Sequence, residues 1–254
     1  MTIPALAPLF VGNFEHYRHM LVLQGQDERK GIPAQELISA DGLAWLLSEY
    51  RRTQPGDDDR ALLSLWSRYY FVKLTVPVVA ANLVLGRELP VALDQIEVIL
   101  GDGAVPEAFR LPDEGQPFGE TPADPFERFR VLLDENFEPL IEGWSQQVKV
   151  APRVLWNNAA NYFEWLIRTM AAGGVPEKML ADGEKLIELD RRPDGHPNPM
   201  ANPVRYVERG EGREPLRQRR HCCIRYRLPD LPLCGNCPHI DRPPKGAKLP
   251  DELE

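Results

Sequence analysis

The stretch RRHCCIRYRLPDLPLCGNCPHI, residues 219–240, holds all four cysteines of a 254-residue chain: Cys222, Cys223, Cys234 and Cys237. Four thiols confined to so short a run, spaced C-C-x10-C-x2-C, act as a set. Thiolates in such sets ligate tetrahedral zinc or iron–sulfur clusters. Structural zinc sites usually draw on C-x2-C knuckles, and only Cys234-Gly235-Asn236-Cys237 is one. The other pair is adjacent, and neighbouring side chains in an extended chain point to opposite sides. Two irons accommodate that more readily than one small ion, so the spacing leans toward a binuclear cluster and leaves zinc open. The tail, 196–254, reads as a loop-rich lobe organised by this centre, and 1–195 as a separate body.

Working outward, the charge is uneven. Between Arg205 and Lys248 eleven Lys or Arg stand against five Asp or Glu, a net of +6 in a chain whose total is −8. Cations beside a thiolate-ligated centre lower the cost of its negative charge. The acidic remainder, with no long basic stripe, argues against nucleic acid. With 43% apolar residues the chain can build a substantial core. Its first residues, MTIPALAPLF, have no cationic start followed by an apolar run, so no secretory signal is expected. The longest apolar stretch, 72–85, is too short to span a bilayer. The cytosol is then the expected compartment, where disulfides are rare.

The body reads as helical. Apolar residues at three- and four-residue spacing predict helices over 33–52, 60–85, 124–148, 152–170 and 176–189. Asp57 or Asp58 is placed to cap the second, and Pro77 falls inside it. Gly101-Asp102-Gly103 between two short apolar runs predicts a hairpin near 95–111, its glycines supplying positive φ angles. Residues 191–203 contain four prolines and read as a linker, after which VRYVE alternates like a strand. The predicted class is mainly α with a small β-sheet, an α+β body carrying a loop-rich C-terminal lobe.

The cysteine stretch resembles the C-terminal signature of the FhuF-type ferric siderophore reductases. Arg219 and Arg220 precede the double cysteine, R-Y-R-L-P follows it, and C-x2-C-P ends it. Upstream, NPMANPVRY (198–206), LWNNAANYFEW (155–165), the helix over 66–86 and ELPVALDQIEVILGDG (88–103) are also similar to the family. The resemblance implies a 2Fe-2S cluster on Cys222, Cys223, Cys234 and Cys237, and a siderophore-binding helical body over 1–195. It implies a cytoplasmic enzyme that passes one electron to Fe(III) in an imported siderophore, commonly a hydroxamate. Association with the cytoplasmic face of the inner membrane is expected to be peripheral at most. No glycine-rich phosphate loop follows a strand, so electrons would come from a ferredoxin, a flavoprotein or free reduced flavin.

Other candidates are weaker. Arg220, Arg225 and Arg227 are near enough in sequence to tune a cluster or touch substrate. Trp156 and Asn157 can face a pocket, although asparagines in an apolar helix also bridge neighbouring loops. His221 and His239 bracket the cysteines as supporting or solvent-facing groups. His16 and His19 share a helical face but lack a third ligand. The rival readings are a zinc-stabilised non-enzymatic binding protein and an iron–sulfur redox sensor.

Overall fold

The computed structural model describes residues 3–210 and 212–253. It is mainly helical with three small sheets among those residues. Helix α1 (Ala40–Thr53) starts where Ser39 Oγ accepts a hydrogen bond from Gly42 N at 3.0 Å. That cap satisfies one of the free donors at a helix start. The single helix expected over 33–52 is therefore split, because a 3-10 turn, Ala34–Ile38, precedes the cap. Helix α2 (Asp59–Val84) is capped by Asp58, whose side chain accepts from Arg60 N. It is buried along most of its length, as a helix apolar on nearly all faces must be.

The pattern over 124–148 gives three pieces rather than one helix: α3 (Pro125–Arg128), α4 (Arg130–Leu132) and α5 (Glu138–Val148). A π-helical turn, Leu133–Phe137, joins the last two. The wider turn leaves the Glu135 carbonyl to accept from Leu93 N at 2.9 Å. It also sets Asn136 in the core, where Tyr70 Oη donates to Oδ1 at 3.0 Å and Nδ2 donates to Val91 O at 2.6 Å. Helix α6 (Pro152–Ala172) packs along α2, and α7 (Glu177–Glu188) lies against both.

The strands are β1 (Leu21–Leu23), β2 (Gly31–Pro33), β3 (Arg87–Glu88), β4 (Glu97–Leu100), β5 (Pro106–Leu111), β6 (Gln116–Pro117), β7 (Val204–Val207) and β8 (Leu216–Arg219). The main sheet runs β1-β5-β4-β2, with β1 parallel to β5 and the other pairs antiparallel. β4 and β5 form the predicted hairpin. In its turn Gly103 takes a positive φ of 61°, whereas Gly101 stays at −99° and Ala104 (φ 53°) takes the second left-handed place. Trp66 Nε1 donates to Ala104 O at 2.8 Å and so ties that turn to α2. The β3/β6 pair forms a second small ladder. β7 pairs antiparallel with β8, from Val204 opposite Arg219 to Val207 opposite Leu216. β8 was not predicted, and it leads directly into the cysteines.

The core centres on aromatic rings of α2 and α5. Trp66 and Trp144 meet edge to face at 5.7 Å, and Tyr70 meets Phe109 likewise at 5.0 Å, a favoured geometry for such pairs. Among the described residues no helix is long and apolar enough to cross a membrane. Asn136→Ala orphans the fully buried Tyr70 hydroxyl and the Val91 carbonyl, each costing about 1–3 kcal/mol. The expected loss in chemical denaturation is at least about 2 kcal/mol, with little change in helical circular dichroism.

Candidate metal centre

The cysteine segment is seated on α2 and α6 by buried polar groups. Helix α6 carries Asn157, Asn158, Asn161 and Glu164, all buried, along an otherwise apolar helix. Asn158 Nδ2 donates to Ser64 O at 2.8 Å and to Ser67 Oγ at 3.0 Å, while its Oδ1 accepts from Arg219 Nη2. Ser64 Oγ in turn donates to the Cys223 carbonyl at 2.8 Å. Asn157 Nδ2 donates to Pro203 O at 2.8 Å, and its Oδ1 accepts from His221 N at 3.0 Å. Asn161 Oδ1 accepts from Asn236 Nδ2 at 3.3 Å, and Arg217 grips Glu164. Asn157 is thus a bridge between α6 and the cysteine segment.

The four sulfurs meet each other. Cys222 Sγ lies 3.7 Å from Cys237 Sγ, and Cys223 Sγ lies 3.9 Å from Cys234 Sγ. No disulfide links them. Two thiolates on one tetrahedral ion with metal–sulfur bonds of ~2.3 Å are ~3.8 Å apart, so each contact fits a pair sharing one metal. The adjacent cysteines therefore address different members of the C-x2-C knuckle. Cys222 and Cys234 each also contact both Cys223 and Cys237, so the four sulfurs close into one cluster, although among the described residues no group of three or more His, Cys, Asp or Glu side chains is arranged around a single ion. His16 and His19 lie on the 3-10 helix Gly12–His19, and among the described residues no metal-holding group of three or more His, Cys, Asp or Glu includes them.

Cys223 and Cys237 are drawn below the usual thiol range by hydrogen bonds from Cys222 and Cys234, against burial. Cys237 falls to about 3, helped by the His239 N–H. The same contacts, with burial, push Cys222 and Cys234 up. Ile224 N donates to Cys222 Sγ at 3.3 Å. Amide donors to sulfur are thus supplied by Ile224 and His239.

The cations whose charge acts on the sulfurs are the buried Arg219 and the half-buried Arg68. Arg219 is 1% exposed, and its side-chain hydrogen bonds go to the neutral amides of Asn157 and Asn158. A buried guanidinium needs an anion, and its charge acts on Cys223 and Cys234. Arg68, its Nε donating to Tyr162 Oη at 3.0 Å, also interacts with Cys223 and Cys234. Sequence proximity pointed elsewhere. Arg220 is exposed, Arg227 pairs with Asp58 at 3.0 Å, and Arg225 sits in a cleft of about 220 Å³ with Arg68, Tyr69 and Tyr162. Trp156, Asn157 and Arg220 do come together, lining a second cleft with His221. The signal for Arg219 was the asparagine pair 157–158; nothing in sequence marked Arg68 for this centre.

Asp58 links the cysteine segment to α2, since it caps α2 and holds both Arg60 and Arg227. Burial works to raise its pKa, but the Arg60 hydrogen bond and the charges of Arg227 and Arg60 outweigh it and the net shift is downward. A carboxyl depressed in the folded state stabilises it fully above the unfolded value, ~3.9, and ceases to as pH falls through the lower folded value. Asp58→Asn is expected to lower stability at pH 7 and to flatten the acid limb of the stability curve below pH ~4. Urea melts from pH 2 to 7 measure both.

Residues 64–214 match the family described as "Ferric iron reductase FhuF-like transporter", and residues 219–239 match the "FhuF 2Fe-2S C-terminal domain". The chain is also similar to the "Ferric siderophore reductase" of Escherichia coli (strain K12). The two are 26% identical over 240 residues, covering 88% of this chain and 86% of the relative. The second match spans all four cysteines, so the cofactor of this lobe is a 2Fe-2S cluster. With the first match covering more than half of the sequence, the chain belongs to the ferric iron reductase FhuF-like family, whose members are oxidoreductases.

Proposed function

We propose that this protein reduces Fe(III) in a siderophore complex of hydroxamate type by one electron and releases Fe(II) in the cytosol. The observation that carries the reading is the pairing of four free thiols at 3.7 and 3.9 Å under the charges of the buried Arg219 and the half-buried Arg68. Cys222, Cys223, Cys234 and Cys237 are the four ligands in this reading. The lobe 196–254 holds the cluster, and the body 1–195 takes the siderophore. When bound, a 2Fe-2S cluster supplies a single electron per turnover. Arg219 and Arg68, with the Ile224 and His239 N–H groups, favour the added negative charge and so raise the potential.

The substrate chemistry agrees. Hydroxamate oxygens are hard donors suited to Fe(III), and the softer Fe(II) exchanges more readily. One electron therefore frees the iron with no bond of the ligand broken. The electron comes from an external donor: a ferredoxin, a flavoprotein or free reduced flavin. Any contact with the cytoplasmic face of the inner membrane is peripheral, and nucleic acid has no part.

Replacing any one of the four cysteines by serine is expected to remove most visible absorption and the rhombic paramagnetic signal of the reduced protein. A fully coloured variant removes that residue from the ligand set. Mixing anaerobically reduced protein with ferric trihydroxamate should restore the oxidised spectrum within seconds, with one Fe(II) formed per cluster. Failure of that reoxidation sinks the reductase reading.

A further inference from the structure

The clefts of the body differ in size, charge and position. One, about 760 Å³, is lined by Glu88, Asp113, Glu114 and Glu135 with Arg130, and no residue of β8 or of the cysteine segment reaches it. The cleft at Arg68 and Arg225, about 220 Å³, falls below the ~300–1,000 Å³ usual for small-ligand sites. A third, about 380 Å³, is walled by Arg153, Trp156, Asn157, Asp190, Arg220 and His221. Its position is distinctive. His221 precedes Cys222 in the chain, and Cys222 is the one cysteine of the four that is not fully buried. Asn157 ties the wall of the cleft to His221 N.

Its chemistry is also distinctive. Among the described residues, the side chains of Arg153 and Arg220 make no ion pair or hydrogen bond with the protein. Asp190, the single carboxylate of the wall, is engaged by Asn202 Nδ2 at 3.1 Å. Two unpaired guanidiniums against one occupied carboxylate leave a surplus of donors and of positive charge. The ring of Trp156 and the prolines 197 and 199 supply an apolar side. Such a mixture suits a compact ligand whose surface is rich in anionic oxygens around a metal and apolar outside it.

We propose that this cleft seats the iron-bearing end of the ferric complex, with Arg153 and Arg220 donating to the oxygens that ligate the metal. The assignment rests on the reductase reading above and adds a charge preference: neutral or anionic oxygen-ligated complexes are favoured over those carrying a pendant cation. It also places iron against His221, the residue that precedes Cys222 in the chain.

The test uses a redox-inert probe, gallium(III) tris(acetohydroxamate), titrated against the cluster-loaded protein while tryptophan fluorescence is followed. Saturable binding is expected for the unaltered protein, and at least fivefold weaker binding for R153Q/R220Q. The visible spectrum and midpoint potential of that variant should be unchanged. E88Q/E135Q, in the acidic cleft, should bind the probe as the unaltered protein does. A gallium(III) trihydroxamate with a pendant ammonium should bind more weakly than the neutral probe. Unchanged affinity in R153Q/R220Q, loss in E88Q/E135Q instead, or equal or tighter binding of the cationic probe overturns the assignment. Because gallium takes no electron, binding can succeed while reoxidation by the iron counterpart fails, and the two readings fall separately.

Discussion

The arrangement depends on the contact between α6 and the cysteine segment. That contact is polar and buried: Asn157, Asn158 and Asn161 on one side, Ser64 and Ser67 below, and Arg219, Asn236 and two main-chain carbonyls above. A buried polar network specifies one geometry because every alternative leaves groups unpaired. An apolar seam of the same area would hold the lobe but tolerate sliding. Sulfurs that must stand under 4 Å apart in two pairs benefit from the stricter fit.

The same network resolves an electrostatic difficulty. Arg219 is inside the protein with neutral amide partners, an expensive placement unless an anion is near. The thiolates provide it, so the cation and the cysteine cluster stabilise each other. Arg217, two residues earlier on β8, finds its anion in Glu164 of α6. Successive arginines of one short strand thus serve two purposes, one anchoring the lobe and the other neutralising the centre.

Much of this was legible in the residues. The cysteine spacing gave the centre, and the apolar periodicities gave α2, α6 and α7 nearly to their ends, because long amphipathic patterns are hard to misread. Two failures have physical causes. The pattern over 124–148 keeps helical period across the π turn, so only the tertiary partners of Asn136 and Glu135 reveal the break. The pattern over 33–52 hid Ser39, whose capping role depends on backbone geometry that composition does not display. At the centre, sequence neighbours of the cysteines were the natural candidates for cations. Arg68 instead arrives from α2, more than 150 residues away, and only the packing of α2 against the lobe brings it there.

The hydrogen bond from Ser64 to the Cys223 carbonyl joins positions 159 residues apart. Contacts so distant along the chain form late, after local structure has paid their closure entropy. During synthesis the body precedes the lobe, and Leu233 N also bonds to Lys248 O near the end of the tail. The cysteine segment consequently closes only on a body that has already folded, so its formation reports on the packing of α2 and α6 beneath it.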